Sequence, residues 1–301
     1  MDVQRLVPWA LRAAWALLPF TAGPALADAL DGRSRPVQVL ASGLLWAAWS
    51  VVLAASLVPH PISLTVVRTA VPAAPLLAVA AALNGHGTPL AVASATLAAA
   101  LAFLPEVGAL FVNGPAYPNE RRYLLRLPAP LRLGVLAVVW ALAVVPPVAG
   151  FLLLAAQRTV AGALVVLASA PLTVVLSRAI HGLSRRWLVF VPAGVVVHDP
   201  VALADPVLFR TAVVRSFGPA PADTTALDLT QAAPGLALQL DLEEEVPVLR
   251  TKPGKRLCEA ASPTAILVTP TRPGAVLDEA ARRGFPVRCR PASGRQSRPP
   301  S

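Results

Sequence analysis

Two charged side chains, Arg68 and Glu106, stand inside long apolar stretches of a 301-residue chain. A charge in hydrocarbon is costly unless it is paired, hydrated or close to an interface, so each is a candidate for proton or substrate chemistry by default. Counted from His86 in the short turn between them, Arg68 lies eighteen residues before and Glu106 twenty after. On an antiparallel helix pair that places both at nearly one depth, and the spacing predicts an intramembrane ion pair. Independent snorkelling of each residue to headgroups or water is the alternative.

The other residues able to do chemistry are scattered. The pair His198-Asp199 precedes Pro200 and reads as a turn with a local hydrogen bond. Glu243, Glu244 and Glu245 read as a solvated strand end, with cation coordination as the alternative. Cys258 and Cys289 are too few for a disulfide framework and too isolated for a zinc site. Phosphate loops, zinc helices, nucleophile elbows and paired-cysteine motifs do not occur. The sequence therefore predicts no catalytic residue, no cofactor and no metal.

Two basic segments could meet anions. "RTKPGKR" carries Lys252, Lys255 and Arg256 around a Pro-Gly turn. "NGPAYPNERRYLLRLPAPLR", residues 113 to 132, carries Arg121, Arg122 and Arg126 among tyrosines and leucines. The second reads as an interfacial segment on anionic headgroups, where each basic residue contributes on the order of 1 kcal/mol. A lipid or protein contact is expected of these six residues, and no nucleic acid.

The elements that must carry these residues are set by hydropathy. Hydrophobic residues make up 55% of the chain and charged residues 14%, whereas a soluble domain carries about 25% charged residues. With mean hydropathy +0.63, the chain reads as a multi-pass helical membrane protein. About six spans of roughly 20 residues are expected: 13–30, 37–58, 62–83, 89–112, 133–156 and 159–177. An inside N-terminus leaves ten arginines on inside segments and three, Arg33, Arg35 and Arg158, outside. That bias predicts a cell-membrane protein with a cytoplasmic C-terminal region.

The first span ends in a small-x-small pattern at Ala25-Leu26-Ala27, so cleavage after Ala27 competes with retention as a span. Retention is the expectation, and either outcome threads the other five alike. Pro72, Pro75, Pro105, Pro146, Pro147 and Pro171 fall inside spans, where each removes a backbone donor. They predict either a kinked bundle packed through small residues or broken helices around a transport site.

Past Arg186 the period changes to that of strands. "RWLVFVPAGVVVHDP" predicts a hairpin turning at Pro192-Ala193-Gly194. Further strands are expected at 207–214, 226–229, 235–242, 246–251 and 265–269, then a helix over "RPGAVLDEAARRG" that Gly284 can end. The chain is thus read as a transmembrane domain 1–177, a β-rich cytosolic domain 178–286 and a basic tail 287–301 without fixed structure.

That order of elements, from "RWLVFVPAGVVVHDP" to "ILVTPTRPG" and a closing helix, resembles the pleckstrin-homology-like domains attached to bacterial membrane proteins. With "TAGPALADALDGRSRPVQ", "ADPVLF" and "DLT", the whole chain resembles a family of uncharacterised actinobacterial multi-pass proteins. The resemblance implies a pleckstrin-homology-like fold and brings no activity or lipid-binding residue. The expectation is a non-enzymatic integral membrane protein whose cytosolic domain binds a partner or the inner leaflet, in envelope organisation. The alternative is a small secondary transporter using the proline-broken helices and the Arg68/Glu106 pair.

Overall fold

A computed structural model describes residues 3–129, 131–251 and 258–288. They form two compact units. One holds the described residues up to Tyr117 and those from Leu131 to Arg185. The other holds Pro118–Ala129 and the described residues from Arg186 onward.

The first unit is helical: α1 (Val3–Thr21), α2 (Gly23–Asp28), α3 (Arg35–Leu57), α4 (Pro61–Ala70), α5 (Ala73–Leu83), α6 (Pro89–Ala102), α7 (Pro105–Asn113), α8 (Leu136–Ala155) and α9 (Thr159–Leu183). Among the described residues, Arg35–Leu57, Pro61–Leu83, Leu136–Ala155 and Thr159–Leu183 are long and apolar enough to cross a membrane. The bent pair α6 and α7 makes a fifth candidate if it is one span. The apolar part of α1, Leu6–Thr21, is shorter, and the expected first span divides at Ala22 between α1 and α2. The last helix runs past Ser177 to Leu183.

Packing in this unit uses small residues. Ala91, Ala95, Ala98 and Ala102, spaced by turns of α6, are fully buried where α1 and α6 meet. Leu11, Trp15 and Leu18 supply the buried stripe of α1.

The prolines act unequally. Pro146 and Pro147 lie inside a continuous α8 and Pro171 inside α9, whereas chain breaks occur at Pro72 and before Pro105. At two of these prolines a side chain from another helix donates to a nearby carbonyl. Pro147 cannot donate to the Ala143 carbonyl, which accepts from Thr173 Oγ1 at 3.1 Å. Beside the break at Pro72, the Thr69 carbonyl accepts from Trp140 Nε1 at 2.7 Å. In hydrocarbon, where water cannot do this, such donors let a proline-rich bundle hold together.

The second unit contains two four-stranded sheets. β1 (Arg121–Leu124), β2 (Trp187–Val191), β3 (Gly194–His198) and β4 (Val207–Arg210) form an antiparallel sheet in that order. β5 (Val214–Pro219), β6 (Leu227–Asp228), β7 (Leu238–Leu242), β8 (Val248–Thr251), β9 (Cys258–Ala261), β10 (Ala265–Val268) and α10 (Pro273–Arg282) follow. The second sheet has the order β5-β7-β10-β6, and β8 pairs β9 separately. Phe190, Phe209, Phe217, Leu238, Leu240, Ile266, Val276 and Phe285 share one core between the strands and α10.

The hairpin expected at Pro192-Ala193-Gly194 forms there. Gly194 is required because its φ is +154° and a Cβ would stand 2.1 Å from the Phe209 carbonyl oxygen. Within the segment 113–132, for which no strand is expected, Arg121–Leu124 pairs with β2 in the register Arg121↔Phe190 to Leu124↔Trp187. Leu124 and Leu125 are buried, so pairing and burial outweigh the basic side chains in fixing this segment.

Candidate functional site

The polar residues of the helical unit gather along α4. Pro61 opens this helix, and His60 Nδ1 accepts from the Ile62 amide at 3.2 Å. Leu64, Val67 and Val71 turn into the core at helical spacing, with Thr65 and Arg68 beside them.

Arg68 and Glu106 do not form the expected ion pair. Arg68 Nε instead lies 3.4 Å from the Ala102 carbonyl oxygen, and its guanidinium stands 5.7 Å from the Phe103 ring centroid. Leu104, before Pro105, is extended with ψ 141°, as a residue preceding proline prefers, and α6 and α7 bend there by 51°. The bend leaves a helix C-terminus at Ala102 and a helix N-terminus at Pro105. Arg68 meets the negative end of the first dipole, and Glu106 occupies the first turn of the second. Each charge is matched to a helix end rather than to the other charge.

One turn before Arg68, Thr65 joins α4 to α9. Its Oγ1 lies 2.8 Å from His181 Nδ1, 3.1 Å from Ser184 Oγ and 3.1 Å from the Pro61 carbonyl oxygen. A hydroxyl donates once, so donation to Pro61 requires that it accept from His181 or Ser184. Among the described residues no carboxylate is hydrogen-bonded to His181. Through these contacts the cluster links α4 to the end of α9. Thr65 and His181 are 116 residues apart, and neither carries a local motif that would have exposed the pairing.

In the β-rich unit the arginines of residues 118 to 129 differ in their surroundings. Arg122 pairs with Glu120 at 2.9 Å and stands 5.3 Å from the Trp187 ring centroid. The Arg126 amide donates to the Thr269 carbonyl at 2.8 Å, while its buried side-chain Nε has no hydrogen-bond partner among the described residues. Arg121 is exposed on the edge strand. Lys252, Lys255 and Arg256 lie outside the described residues.

The strongest electrostatic feature of this unit is one that sequence reasoning missed. Arg186 and Asp199 form a bidentate pair, Nε to Oδ1 and Nη2 to Oδ2 at 2.7 Å each, with side chains 1% and 0% exposed. Arg186 Nη1 also donates to the Arg126 carbonyl at 2.8 Å, and Asp199 Oδ1 accepts from the Val201 amide at 3.0 Å. The last bond is the local turn expected at His198-Asp199. Arg186 had the appearance of one more inside-facing arginine. Its burial depends on β1, which the sequence hides.

Other ionisable groups lie on the surface or pack around α10. Glu243 pairs with Arg215 at 3.1 Å, and Glu244 and Glu245 are exposed. Buried Glu279 holds Arg283 at 2.6 Å and also contacts Arg282. Burial first, then the Glu279 carboxylate, raises the pKa of Tyr123, whose ring meets Phe190 edge-on. Among the described residues, no three His, Cys, Asp or Glu side chains are arranged to hold a metal.

Comparison with known proteins finds no family model, no curated protein and no solved structure that matches this chain.

Proposed function

We propose that this chain is a non-enzymatic, six-span membrane protein whose β-rich unit faces the cytoplasm and binds a protein partner. The observation that carries the proposal is the origin of β1. A strand drawn from the connection between two apolar helices forms an edge of the first sheet, so whatever binds this unit is held at the membrane. Two four-stranded sheets followed by a terminal helix support a pleckstrin-homology-like fold, as in the bacterial family the sequence resembles. The arginine bias supports the cytoplasmic side.

A protein partner is favoured over the inner leaflet because Arg122 is paired with Glu120 within the unit while leucines are exposed. Leu208 on the edge strand β4 is 40% exposed, and Leu249 on β8 is 45% exposed. The test is a photoreactive residue at position 208 or 249 of the full chain in its native membrane. A discrete protein adduct, absent from a control at Leu97, is expected. Lipid adducts alone would transfer the role to the inner leaflet, and no adduct at either position would remove the binding role.

One observation favours secondary transport as a second reading: the 51° break in a candidate span, with Arg68 and Glu106 at its two ends. Half-helix ends of this kind can face a solute. Here Arg68 Nε is used on Ala102 and the alanine stripe of α6 is closed, which favours a packed anchor.

A further inference from the structure

The strand pairing that begins with β1 continues past it. Leu125 bridges Pro270 in the antiparallel sense, and the Arg126 amide donates to the Thr269 carbonyl at 2.8 Å. Arg126 and Thr269 are therefore opposite one another, with Cβ atoms about 5 Å apart and side chains on one face. Their neighbours Leu125 and Val268 point the other way, into the core. The chain that leaves β6 runs over the Arg126 face. The Leu229 amide donates to the Leu267 carbonyl, and at Gly235, where φ is +121°, a Cβ would stand 2.9 Å from Arg126 Nε.

Two hydrogen-bonding groups meet under this cover without a partner. Thr269 is 2% exposed, and its Oγ1 has no hydrogen-bond partner among the described residues. Arg126 Nε is enclosed in the same way, and no ion pair among the described residues involves this guanidinium. Orphaned buried donors are costly, and one of these carries a charge. The covering loop is itself strained, since Gln231 and Ala232 adopt φ of 54° and 56°, a region that residues other than glycine avoid.

We propose that Arg126 and Thr269 form a binding site for one phosphate group, carried by a small soluble molecule and admitted by displacement of the 229–235 loop. The guanidinium only donates and the hydroxyl is free to donate, so the ligand that satisfies both is an oxyanion. Arg186 shows what a carboxylate does in this unit: the guanidinium fork uses both Asp199 oxygens. A phosphate brings a further oxygen for the Thr269 hydroxyl. The enclosure of Thr269 favours a small molecule over a headgroup fixed in a membrane surface. Leu208 and Leu249 take no part, so the site is independent of the proposed protein partner.

The experiment titrates the purified full chain in detergent calorimetrically with inorganic phosphate, and separately with acetate and with phosphatidic acid in mixed micelles. Phosphate should bind at one site and more tightly than acetate. Arg126→Gln should weaken it roughly tenfold or more and Thr269→Val roughly fivefold, as for hydrogen bonds to a charged ligand. Thr269→Val exchanges an unsatisfied hydroxyl for a methyl of the same shape, so its unfolding temperature without ligand should not fall, which separates loss of the site from loss of the fold. Binding of phosphatidic acid in place of inorganic phosphate, with the same losses in both variants, would keep the site and assign the phosphate to a headgroup. No binding of either phosphate, binding that both variants retain, or acetate bound as tightly would overturn the proposal.

Discussion

Trp15 and Trp49 exchange hydrogen bonds: each indole Nε1 donates to the other residue's carbonyl oxygen at 2.9 Å, joining α1 to α3. The bond to Trp15 answers a specific deficit, because the amide that would reach this carbonyl belongs to residue 19, which is proline. Thr173 does the same for Ala143 above Pro147. At both sites a side-chain donor from another helix serves a backbone acceptor that proline has freed.

This relationship predicts a rescue. Trp49→Phe keeps the ring but removes the donor, and should cost about 0.6 to 1.7 kcal/mol, the range for hydrogen bonds between membrane helices. In a Pro19→Ala background the residue 19 amide can serve the Trp15 carbonyl, so the same change should cost less. Unfolding in mixed micelles measures both. An identical loss in the two backgrounds would show that Pro19 is not the reason for the bond.

A second cycle tests the broken span. Arg68 and Glu106 serve opposite helix ends and share no bond, so the losses from Arg68→Ala and Glu106→Ala should add to within about 0.5 kcal/mol. A coupling of several times that size, with recovery in the double variant, would restore the ion pair and strengthen the transport reading.

The two units differ in how far their sequence exposes them. Long apolar runs place the helices because hydrophobic length is a local signal. The 187–198 hairpin is equally local, with its turn residues between two β-branched runs. Strand β1 is not, because its partner β2 begins more than sixty residues later and its own composition suits a basic loop. Missing β1 also concealed the Arg186–Asp199 pair, since Arg186 reaches the Arg126 carbonyl just beyond that strand. The absence of an Arg68–Glu106 pair follows from the bend before Pro105, which directs each charge to a helix end and is not evident from residue spacing.

The buried pair should be intolerant of partial removal. Asp199→Ala leaves the Arg186 charge without its partner, and breaking a buried pair this way typically costs about 3 to 5 kcal/mol. Arg186→Lys should also be damaging, because an ammonium cannot reproduce the two-pronged contact and the bond to Arg126. Protease resistance of the β-rich unit in the full chain measures the effect. A loss below about 1 kcal/mol for Asp199→Ala would contradict the role assigned to the pair.

Alkaline pH provides an independent test of the β1 core contact. Burial and Glu279 raise the Tyr123 pKa above its ordinary value of 10.0, partly opposed by Arg282, Arg121 and Arg272. The folded state then keeps a proton that the unfolded state releases, so this stabilisation is complete below about pH 10 and falls as pH rises through the folded pKa. Tyr117 is the only other tyrosine, so a Tyr117→Phe variant reports Tyr123 alone by its tyrosinate absorbance. Its midpoint should exceed that of the unfolded chain, and Tyr123→Phe should flatten the alkaline loss of stability. A midpoint at or below the unfolded value would contradict the burial argument.

The central claim is that the β-rich unit is a cytoplasmic module on a multi-pass membrane protein, and Cys258 reports on it directly because it is exposed on β9. In a Cys289→Ser variant, a membrane-impermeant thiol reagent should leave Cys258 unlabelled in intact cells and label it once the membrane is opened. Labelling of equal extent before and after opening would place the unit outside and contradict the account.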